Sequence, residues 1–437
     1  GPIEGAVTGN VTGNVTGNLT GNVTGDVTGN TSGSSGSCTG NAATATLASG
    51  ITTTANINTS GIVTATSFTG SGANLTGIVS PLSFRNLVVN GAMNVAQRGT
   101  TSTSTTYQTV DRMRPTWSGT DEALTQAQHA LTSSDTGPWA KGFRSSLHLT
   151  NGNQTSAVGT TDSAYMQYRV ESQDLANSGW EYTSASSYLT ISFWVKSSVG
   201  QVFYVDLQTH NGTGKQYSFA YTCSANTWLK VEHSIPGHAD ISFDNNNGKG
   251  LTFTFSQFLG TNYTHSGASN NTWRGYDAGT MTLDQTTTWW ETNDATWEIT
   301  GLQLEVGSTA TEFEHRTYGE ELIRCQRYFQ AFMSKPNEGH TFATRFTTQA
   351  QGGLTYFTNF RANPSSTLKG IRIHVMSTGS NQTVTSHNTT IAGGSDTRSS
   401  GMWALIIQNS NLVAGEACLA HGLSTSSPMG MWLDAEL

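Results

Sequence analysis

Charged side chains are scarce in this sequence, and those present form no basic cluster. Only 11% of the 437 residues are Asp, Glu, Lys or Arg, and the formal net charge is −8. A protein that binds nucleic acid through its phosphates needs a concentrated positive surface, which this sequence lacks. No apolar run approaches the ~20 residues of a membrane-spanning helix, and the first residues show no signal-peptide pattern. We therefore expect neither nucleic-acid binding nor membrane insertion.

Cysteines are few and far apart. Cys38, Cys223, Cys325 and Cys418 lie in four different segments, with no CxxC pair and no metal-ligand spacing. A disulfide framework needs closer pairing and an oxidising compartment. We predict four free thiols, buried as small apolar side chains.

Catalytic motifs are also missing. The sequence has no GxSxG elbow and no HExxH pair, and we predict no cofactor. Glycoside cleavage needs two carboxylates across the bond, and the candidate pairs are Asp240/Asp244, Glu291/Asp294 and Glu312/Glu314. On a strand, Glu312 and Glu314 would point the same way, but a solvated rim is the favoured interpretation. Asp240 and Asp244 could bind calcium through oxygen ligands, although a plain turn is favoured.

A four-residue repeat fills residues 7–30, with Val (once Leu), Thr, Gly and Asn or Asp in fixed order. Four is twice the period of a strand, so Val and Gly share one face. One buried Val contributes roughly 1.5–3 kcal/mol, whereas ordering four residues costs about 4–8 kcal/mol. A single chain therefore cannot order the repeat alone. The pattern favours an intertwined, trimeric β-fibre over the alternative, a flexible linker.

Residues 61–78, Gly-Ile-Val-Thr-Ala-Thr-Ser-Phe-Thr-Gly-Ser-Gly-Ala-Asn-Leu-Thr-Gly-Ile, resemble a segment of structural proteins of marine cyanobacterial phages. The resemblance implies a fibrous, trimeric shaft. With the repeat, it predicts a stalk over residues 1–83.

Residues 84–316 alternate between apolar and polar side chains in short runs separated by Gly, Asn and Ser. In the run 188–196, Leu189, Ile191, Phe193 and Val195 share one face. The other predicted strands are 201–207, 216–221, 228–232, 251–255 and 297–305. No helical period interrupts them, which predicts an antiparallel β-sandwich.

Two motifs of this region resemble the ends of a domain found in phage tail-fibre proteins. Residues 86–99 (NLVVNGAMNVAQRG), with 110–113, resemble its opening, and residues 301–316 resemble its last strand. Together with the strand at 188–196, they make 84–316 similar to jelly-roll carbohydrate-binding modules.

A connector and a tip are predicted after this module. Residues 318–329 place Leu322, Cys325 and Phe329 on one face, with Glu320 and Glu321 in the first turn, as in a short amphipathic helix. This run resembles the connector that follows such modules in phage fibres, which predicts a helical linker over 317–333. Residues 334–437 are predicted to form a β tip, with strands at 341–346, 353–360, 370–376 and 402–409. Residues 361–364 and 432–437 resemble the tip of phage receptor-binding fibres.

These resemblances imply a subunit of a phage tail fibre that attaches to bacterial surface polysaccharide. They imply a homotrimer that contacts other virion or tail proteins near its N-terminus, assembled in the host cytoplasm and extracellular in the virion. Two alternatives stay open: a polysaccharide depolymerase with a site between subunits, and a purely structural decoration fibre of the capsid or tail.

Sugar binding needs an exposed aromatic face beside polar groups. The candidate residues are Trp180, Tyr182, Trp273, Tyr276, Trp289, Trp290, Glu291 and Trp403, and weaker tip candidates are Tyr356, His374, His387 and Arg398. Adjacent Trp289 and Trp290 on a strand would point to opposite faces, which would leave one ring exposed. The alternative for each aromatic is packing in the core or in an interface.

Overall fold

The computed structural model of the chain describes residues 85–334 without interruption, and parts of the chain elsewhere: Thr8, Thr12, 339–341, 345–346, 349–355, 360–362, 365–369, 371–375, 380–383, 386–390, 402–408, 418–422 and 429–437. Beyond residue 331, side chains are described only at 360–362, 365 and 432–437. The chain divides into two compact units, 1–76 and 77–437. The predicted β-fibre stalk lies outside the described residues, apart from the exposed Thr8 and Thr12, and stays a prediction.

Twelve strands form a sandwich of two sheets. They are β1 (Thr101–Ser102), β2 (Arg114–Ser118), β3 (Thr125–Ala130), β4 (Ser145–Thr150), β5 (Ser163–Glu171), β6 (Tyr188–Ser197), β7 (Val202–Thr209), β8 (Lys215–Thr222), β9 (Leu229–Pro236), β10 (Lys249–Leu259), β11 (Arg274–Gly275) and β12 (Thr296–Val306). Sheet A has the order β1-β3-β4-β12-β6-β9, and sheet B has the order β11-β8-β7-β10-β5-β2. Every strand pairing described in the two sheets is antiparallel, so the all-β prediction is confirmed.

The hydrophobic core lies between the two sheets. The predicted inward face of β6 is confirmed, because Leu189, Ile191, Phe193 and Val195 are all at most 1% exposed. Phe193 of sheet A meets Phe255 of sheet B edge to face, with ring centroids 5.2 Å apart. Trp297 of β12 donates its indole N–H to the hydroxyl of Tyr221 on β8 at 3.2 Å. Period-two alternation thus sets which side of each strand is buried.

Two short helices interrupt the strands, where the sequence predicts none. Helix α1 (Ser172–Ala176) follows β5, and helix α2 (Thr288–Glu291) precedes β12. Short 3₁₀ turns form at Trp139–Lys141 and Ala278–Thr280. Helices of five and four residues span little more than one turn, so they leave no periodic signal in the sequence.

The opening motif of the sandwich is a turn organised by Asn90. This residue has a left-handed backbone (φ 62°), a conformation that Asn tolerates better than most side chains do. Its side-chain amide donates to the carbonyls of Val95 and Asp111, each at 2.9 Å, and its Oδ1 accepts from the Val95 N–H at 3.0 Å. The motif that resembles phage fibre domains therefore has a structural role here.

Helix α3 (Tyr318–Gln326) begins where the sequence predicts it. Thr317 caps the first turn and forms a reciprocal capping box with Glu320, which satisfies N–H groups at the helix start. The predicted end at Phe329 is wrong, because the helix stops at Gln326 and Phe329 opens a strand. Glu321 is buried, and its carboxylate accepts a hydrogen bond from the backbone N–H of Asn90.

Among the residues described after α3, eleven further strands follow: β13 (Phe329–Ser334), β14 (Gly339–Thr341), β15 (Arg345–Phe346), β16 (Gln349–Thr355), β17 (Ser365–Lys369), β18 (Ile371–Val375), β19 (Ser380–Thr383), β20 (Ser386–Thr390), β21 (Met402–Gln408), β22 (Cys418–Gly422) and β23 (Met429–Asp434). They form sheets β13-β23-β17, β14-β22-β18-β19 and β15-β16-β21-β20. The predicted β character of this region is confirmed for its described residues. The sequence missed β13, which lies within the predicted helical linker over 317–333 except for its last residue, and it also missed β17, β19, β20, β22 and β23.

A buried charge cluster joins the last described residues to the sandwich. Arg112 is 1% exposed and pairs with Glu436, and its guanidinium lies 3.5 Å from the ring centroid of Tyr328. Arg98 bonds Asp434 at 2.9 Å and stacks 3.6 Å from the ring centroid of Phe329. Residues near both ends of unit 77–437 thus share one ion-pair network.

Cys223 and Cys325 are free and buried, as predicted, while the side chains of Cys38 and Cys418 lie outside the described part. Burial raises the pKa of Cys223 to about 12 and that of Cys325 well above its usual value. Within the described residues, none of the helices has the length and apolar character needed to cross a membrane.

Candidate functional site

The outer face of sheet A carries aromatic side chains that do not pack in the main core. Trp194 of β6 points away from the core, because it lies between the inward-facing Phe193 and Val195. In the sheet register it stands beside Thr300 of β12 and Lys230 of β9. A half-buried tryptophan on the polar face of a strand is a surface on which a ligand ring can stack.

Residues 131–143 fold over this face and form a second, small hydrophobic cluster. Leu131, Phe143 and Ala92 are its buried members, and the half-buried Trp139, Trp194, Trp228 and Phe313 pack against it. The guanidinium of Arg144 covers the ring of Trp139 at 3.7 Å. Gly137 lies against the indole of Trp194, since an added Cβ there would be 2.7 Å from Cζ3.

A cleft of about 310 Å³ opens between this cluster and residues 310–315. Three aromatic rings line it: Phe143, Trp194 and Phe313. Phe143 and Phe313 meet edge to face at 4.8 Å, and His315 contacts both rings at about 5 Å. The volume lies at the lower end of the range of about 300–1,000 Å³ typical of small-molecule sites.

Polar groups surround the rings. Lys141 and Glu312 form an ion pair of 3.1 Å at the rim, and His315 Nε2 lies 2.8 Å from the Lys141 carbonyl. Lys230 and Glu232 line the cleft from β9. Burial lowers the pKa of the Lys230 ammonium, with Glu232 opposing that shift. The cleft thus offers ammonium donors and carboxylate acceptors beside apolar ring faces, an arrangement suited to binding a polyhydroxylated ring.

The most specific prediction, for Trp289 and Trp290, is wrong. These residues lie in helix α2 and not on a strand, and both are at most 1% exposed. Trp289 donates its indole N–H to the Thr296 carbonyl at 3.1 Å, and Trp290 packs against Phe258 at 5.1 Å. Neither ring offers a face to solvent, and only Glu291 of this group is exposed.

The other sandwich candidates are spread over separate places. Trp180 and Trp273 are buried, at 4% and 8% exposed, and Tyr182 is half-buried against Phe243. Tyr276 is 44% exposed and follows β11 at the edge of sheet B. Of the aromatic candidates with described side chains, Tyr276 alone keeps a largely open ring.

For the tip candidates, the structure describes either the backbone alone or nothing. Trp403 lies in β21, His374 in β18 and His387 in β20, and the side chains of all three lie outside the described part. Tyr356 and Arg398 lie outside the described residues.

The carboxylate candidates are held by protein partners. Asp240 bonds the Lys215 ammonium at 2.6 Å, which lowers the pKa of that carboxyl, and Asp244 accepts from the Asn211 amide at 2.8 Å. A lysine stands where a calcium ion would bind Asp240, which favours the plain turn. Strand β12 ends at Val306, so the expectation that Glu312 and Glu314 share a strand face is wrong.

Sequence patterns did not indicate Trp194, Phe313 or Lys230 as site residues. A signal for Trp194 was present, because period-two alternation in the predicted strand 188–196 already puts a tryptophan on the face opposite the core. The cleft itself left no signal, since its lining comes from segments that are far apart in the sequence, at residues 141–143, 194, 230–232 and 310–315.

No family model and no curated protein matches this chain. Among solved structures, it is similar to the enzymatically active domain of tailspike protein 4 of bacteriophage CBA120, at 11% identity and a TM-score of 0.27, over 51% of this chain and 21% of that one. It is also similar to the family 11 carbohydrate-binding module of a Clostridium thermocellum cellulosomal cellulase, at 13% identity and a TM-score of 0.23, over 49% of this chain and 98% of that one.

A third similar structure is the N-terminal cellulose-binding domain of Cellulomonas fimi β-1,4-glucanase C, at 9% identity and a TM-score of 0.23, over 50% of this chain and 99% of that one. Similarities at this level carry no functional argument.

Proposed function

We propose that this chain is a subunit of a homotrimeric phage tail fibre that attaches to bacteria by binding surface polysaccharide in the cleft on the outer face of sheet A. The observation that carries the proposal is the half-buried ring of Trp194 beside Phe313, with Lys230 and Glu232 within the same cleft. The C–H face of a pyranose can stack on such rings, while its hydroxyl groups bond the ammonium and carboxylate groups.

The sequence supports the fibre part of the proposal. On the energetic argument from its sequence, we expect the repeat of residues 7–30 to become ordered only when several chains wind together, and the motifs at 61–78 and 86–99 resemble phage fibre proteins. Three copies on one stalk would raise avidity through a high effective concentration, so each cleft could bind weakly. The fibre would contact other virion proteins near its N-terminal stalk.

Binding of the full chain to immobilised polysaccharides tests the proposal. The probes are purified lipopolysaccharide and capsular polysaccharide from cyanobacterial strains, read out by biolayer interferometry. We expect Trp194→Ala and Glu232→Gln to weaken binding about fivefold or more, since one stacked ring contributes roughly 1 kcal/mol. Glu232 is exposed, so its substitution leaves the fold intact. Tyr318→Ala, an equally drastic change at a 58% exposed ring outside the cleft, is the matched control.

Several results would overturn the proposal. Binding that survives Trp194→Ala and Glu232→Gln but is lost in Tyr276→Ala would move the site to the edge of sheet B. Sustained release of reducing sugar from the bound polysaccharide would favour the depolymerase. A sedimenting trimer that binds none of the polysaccharides would favour the decoration fibre, and a folded monomer would contradict the fibre itself.

A further inference from the structure

Two histidines and a glutamate meet on the outer face of sheet A, on three neighbouring strands. His129 is on β3, His148 on β4 and Glu298 on β12, and Glu298 stands directly opposite His148 in the sheet register. One potential ligand atom from each residue lies within 4.8 Å of the other two. Among the residues that the structure describes, these three form the one set of at least three His, Cys, Asp or Glu side chains that lie close enough together to hold a single metal ion.

We propose that His129, His148 and Glu298 form a binding site for a zinc-class divalent ion. Nδ1 of His129 lies 3.1 Å from Glu298 Oε2, and Nδ1 of His148 lies 3.4 Å from Glu298 Oε1. Zinc bound at its usual distances to nitrogen and oxygen separates two tetrahedral ligands by roughly 3.3 Å. The observed separations therefore need little adjustment, and a fourth position stays open to water.

The His148 ring is oriented for this role. Its Nδ1 is buried and makes no hydrogen bond to any residue the structure describes. Its other nitrogen, Nε2, lies 3.1 Å from Thr150 Oγ1. Donation from Nε2–H to that hydroxyl leaves the Nδ1 lone pair directed at the site, which is the usual arrangement for a metal-binding histidine.

Glu298 has the charge and the support that a ligand needs. Its side chain is 3% exposed, Ser146 Oγ bonds it at 2.9 Å, and the Lys196 ammonium contacts it at 2.9 Å. Lys196 contacts Oε1, the oxygen nearest His148 Nδ1, so a metal bound there would take the place of the ammonium, which keeps Asp135 at 3.0 Å as a partner. Two imidazoles with one carboxylate favour zinc and its neighbours over calcium or magnesium, which prefer oxygen ligands.

Zinc titration of the full, chelator-stripped chain tests the site. Isothermal calorimetry with zinc chloride at neutral pH, and metal content after dialysis, should show one zinc ion per chain. His129→Ala and His148→Ala should each weaken binding at least about tenfold. His129 has a 49% exposed side chain, so its truncation should not disturb the fold. His265→Ala, at an exposed loop histidine, is the matched control and should bind like the parent protein.

Cobalt gives a second readout that is independent of affinity. Co²⁺ at this site should show the visible bands of a four- or five-coordinate ion, and the bands should vanish in the His129/His148 double variant. Zinc that the double variant retains would be bound elsewhere in the chain, and that result would overturn the proposal. A parent protein that takes up no stoichiometric zinc would overturn it as well.

Discussion

Gly301 provides the space in which the Phe143 ring packs. A Cβ added to Gly301 would lie 2.6 Å from Phe143 Cζ, and the residue has a left-handed backbone with φ of +64°. The pairing of β12 with β6 shifts register between Thr300 and Gln303, around this glycine. Because Phe143 also contacts Phe313, the irregularity in β12 helps to shape the floor of the cleft.

We therefore expect Gly301→Ala to destabilise the sandwich. The left-handed backbone alone costs an Ala about 1–3 kcal/mol, and displacement of Phe143 adds to this. Urea unfolding monitored by tryptophan fluorescence measures the loss. Gly275→Ala is the control, since an added Cβ there meets nothing within 4 Å. Equal midpoints for both variants would contradict the structural role of the Gly301–Phe143 contact.

Arg112→Met should be strongly destabilising. The change takes from Glu436, whose side chain is 4% exposed, one of its two guanidinium partners and leaves Arg98 at 3.4 Å. A buried charge left with no partner costs about 3–5 kcal/mol, so we expect a loss of stability that approaches this range without exceeding it. The matched control is Arg144→Met, which removes an exposed guanidinium stacked on Trp139 and should cost less than about 1 kcal/mol. Limited proteolysis should then cut near residues 327–334 in the Arg112 variant only. If the Arg112 variant resists proteolysis as well as the parent protein does, the Arg112–Glu436 ion pair does not hold the C-terminal residues to the sandwich.

Buried histidines should make the sandwich less stable as the pH falls from 6.5 to 4, while Asp111, whose pKa burial raises to about 6, acts in the opposite direction. Burial lowers the pKa of His233 from 6.5 to about 4, and its ring stacks on Phe219 at 4.0 Å. Between these values the unfolded chain binds the proton and the folded chain does not, so stability falls as pH drops from about 6.5 to 4. His210, whose pKa burial also lowers to about 4, acts in the same direction.

His233→Phe keeps the stacking and removes the titrating nitrogen. The loss of unfolding free energy across this pH window should become shallower by at most about 1.4 kcal/mol per pH unit. Denaturant unfolding at several pH values gives the slope, and His265→Ala should leave it unchanged. If the unfolding free energy of the Phe variant depends on pH as steeply as that of the parent protein, His233 binds its proton equally well in the folded and unfolded chain, which would contradict the lowered pKa.

Cys223 and Cys325 should resist alkylation in the folded protein. Both thiols are buried and have raised pKa values, so little reactive thiolate is present at mild pH. Iodoacetamide labelling followed by peptide mass spectrometry should modify these two positions only after denaturant is added. Labelling of the native chain at the rate of a free thiol would contradict the described burial.

Sequence patterns predicted the parts of the fold that depend on neighbouring residues. Strict alternation located β6 and its inward face, and Glu320 and Glu321 in the first turn indicated the start of α3. Patterns failed where context decides: Trp289 and Trp290 read as strand residues but form a single helical turn packed in the core. The cleft could not be predicted at all, because Trp194 and Phe313 come to line the same space only in the folded sandwich.

The ion pair between Arg112 and Glu436 spans 324 positions of the chain, which has a consequence for synthesis. Domains generally begin to fold from the N-terminal side while the ribosome is still synthesising the chain. The nascent sandwich therefore holds the Arg112 guanidinium without this carboxylate until residue 436 has been added. A chain released early, by a premature stop or by nicking, would keep that defect, so cells should degrade shortened copies in preference to complete ones.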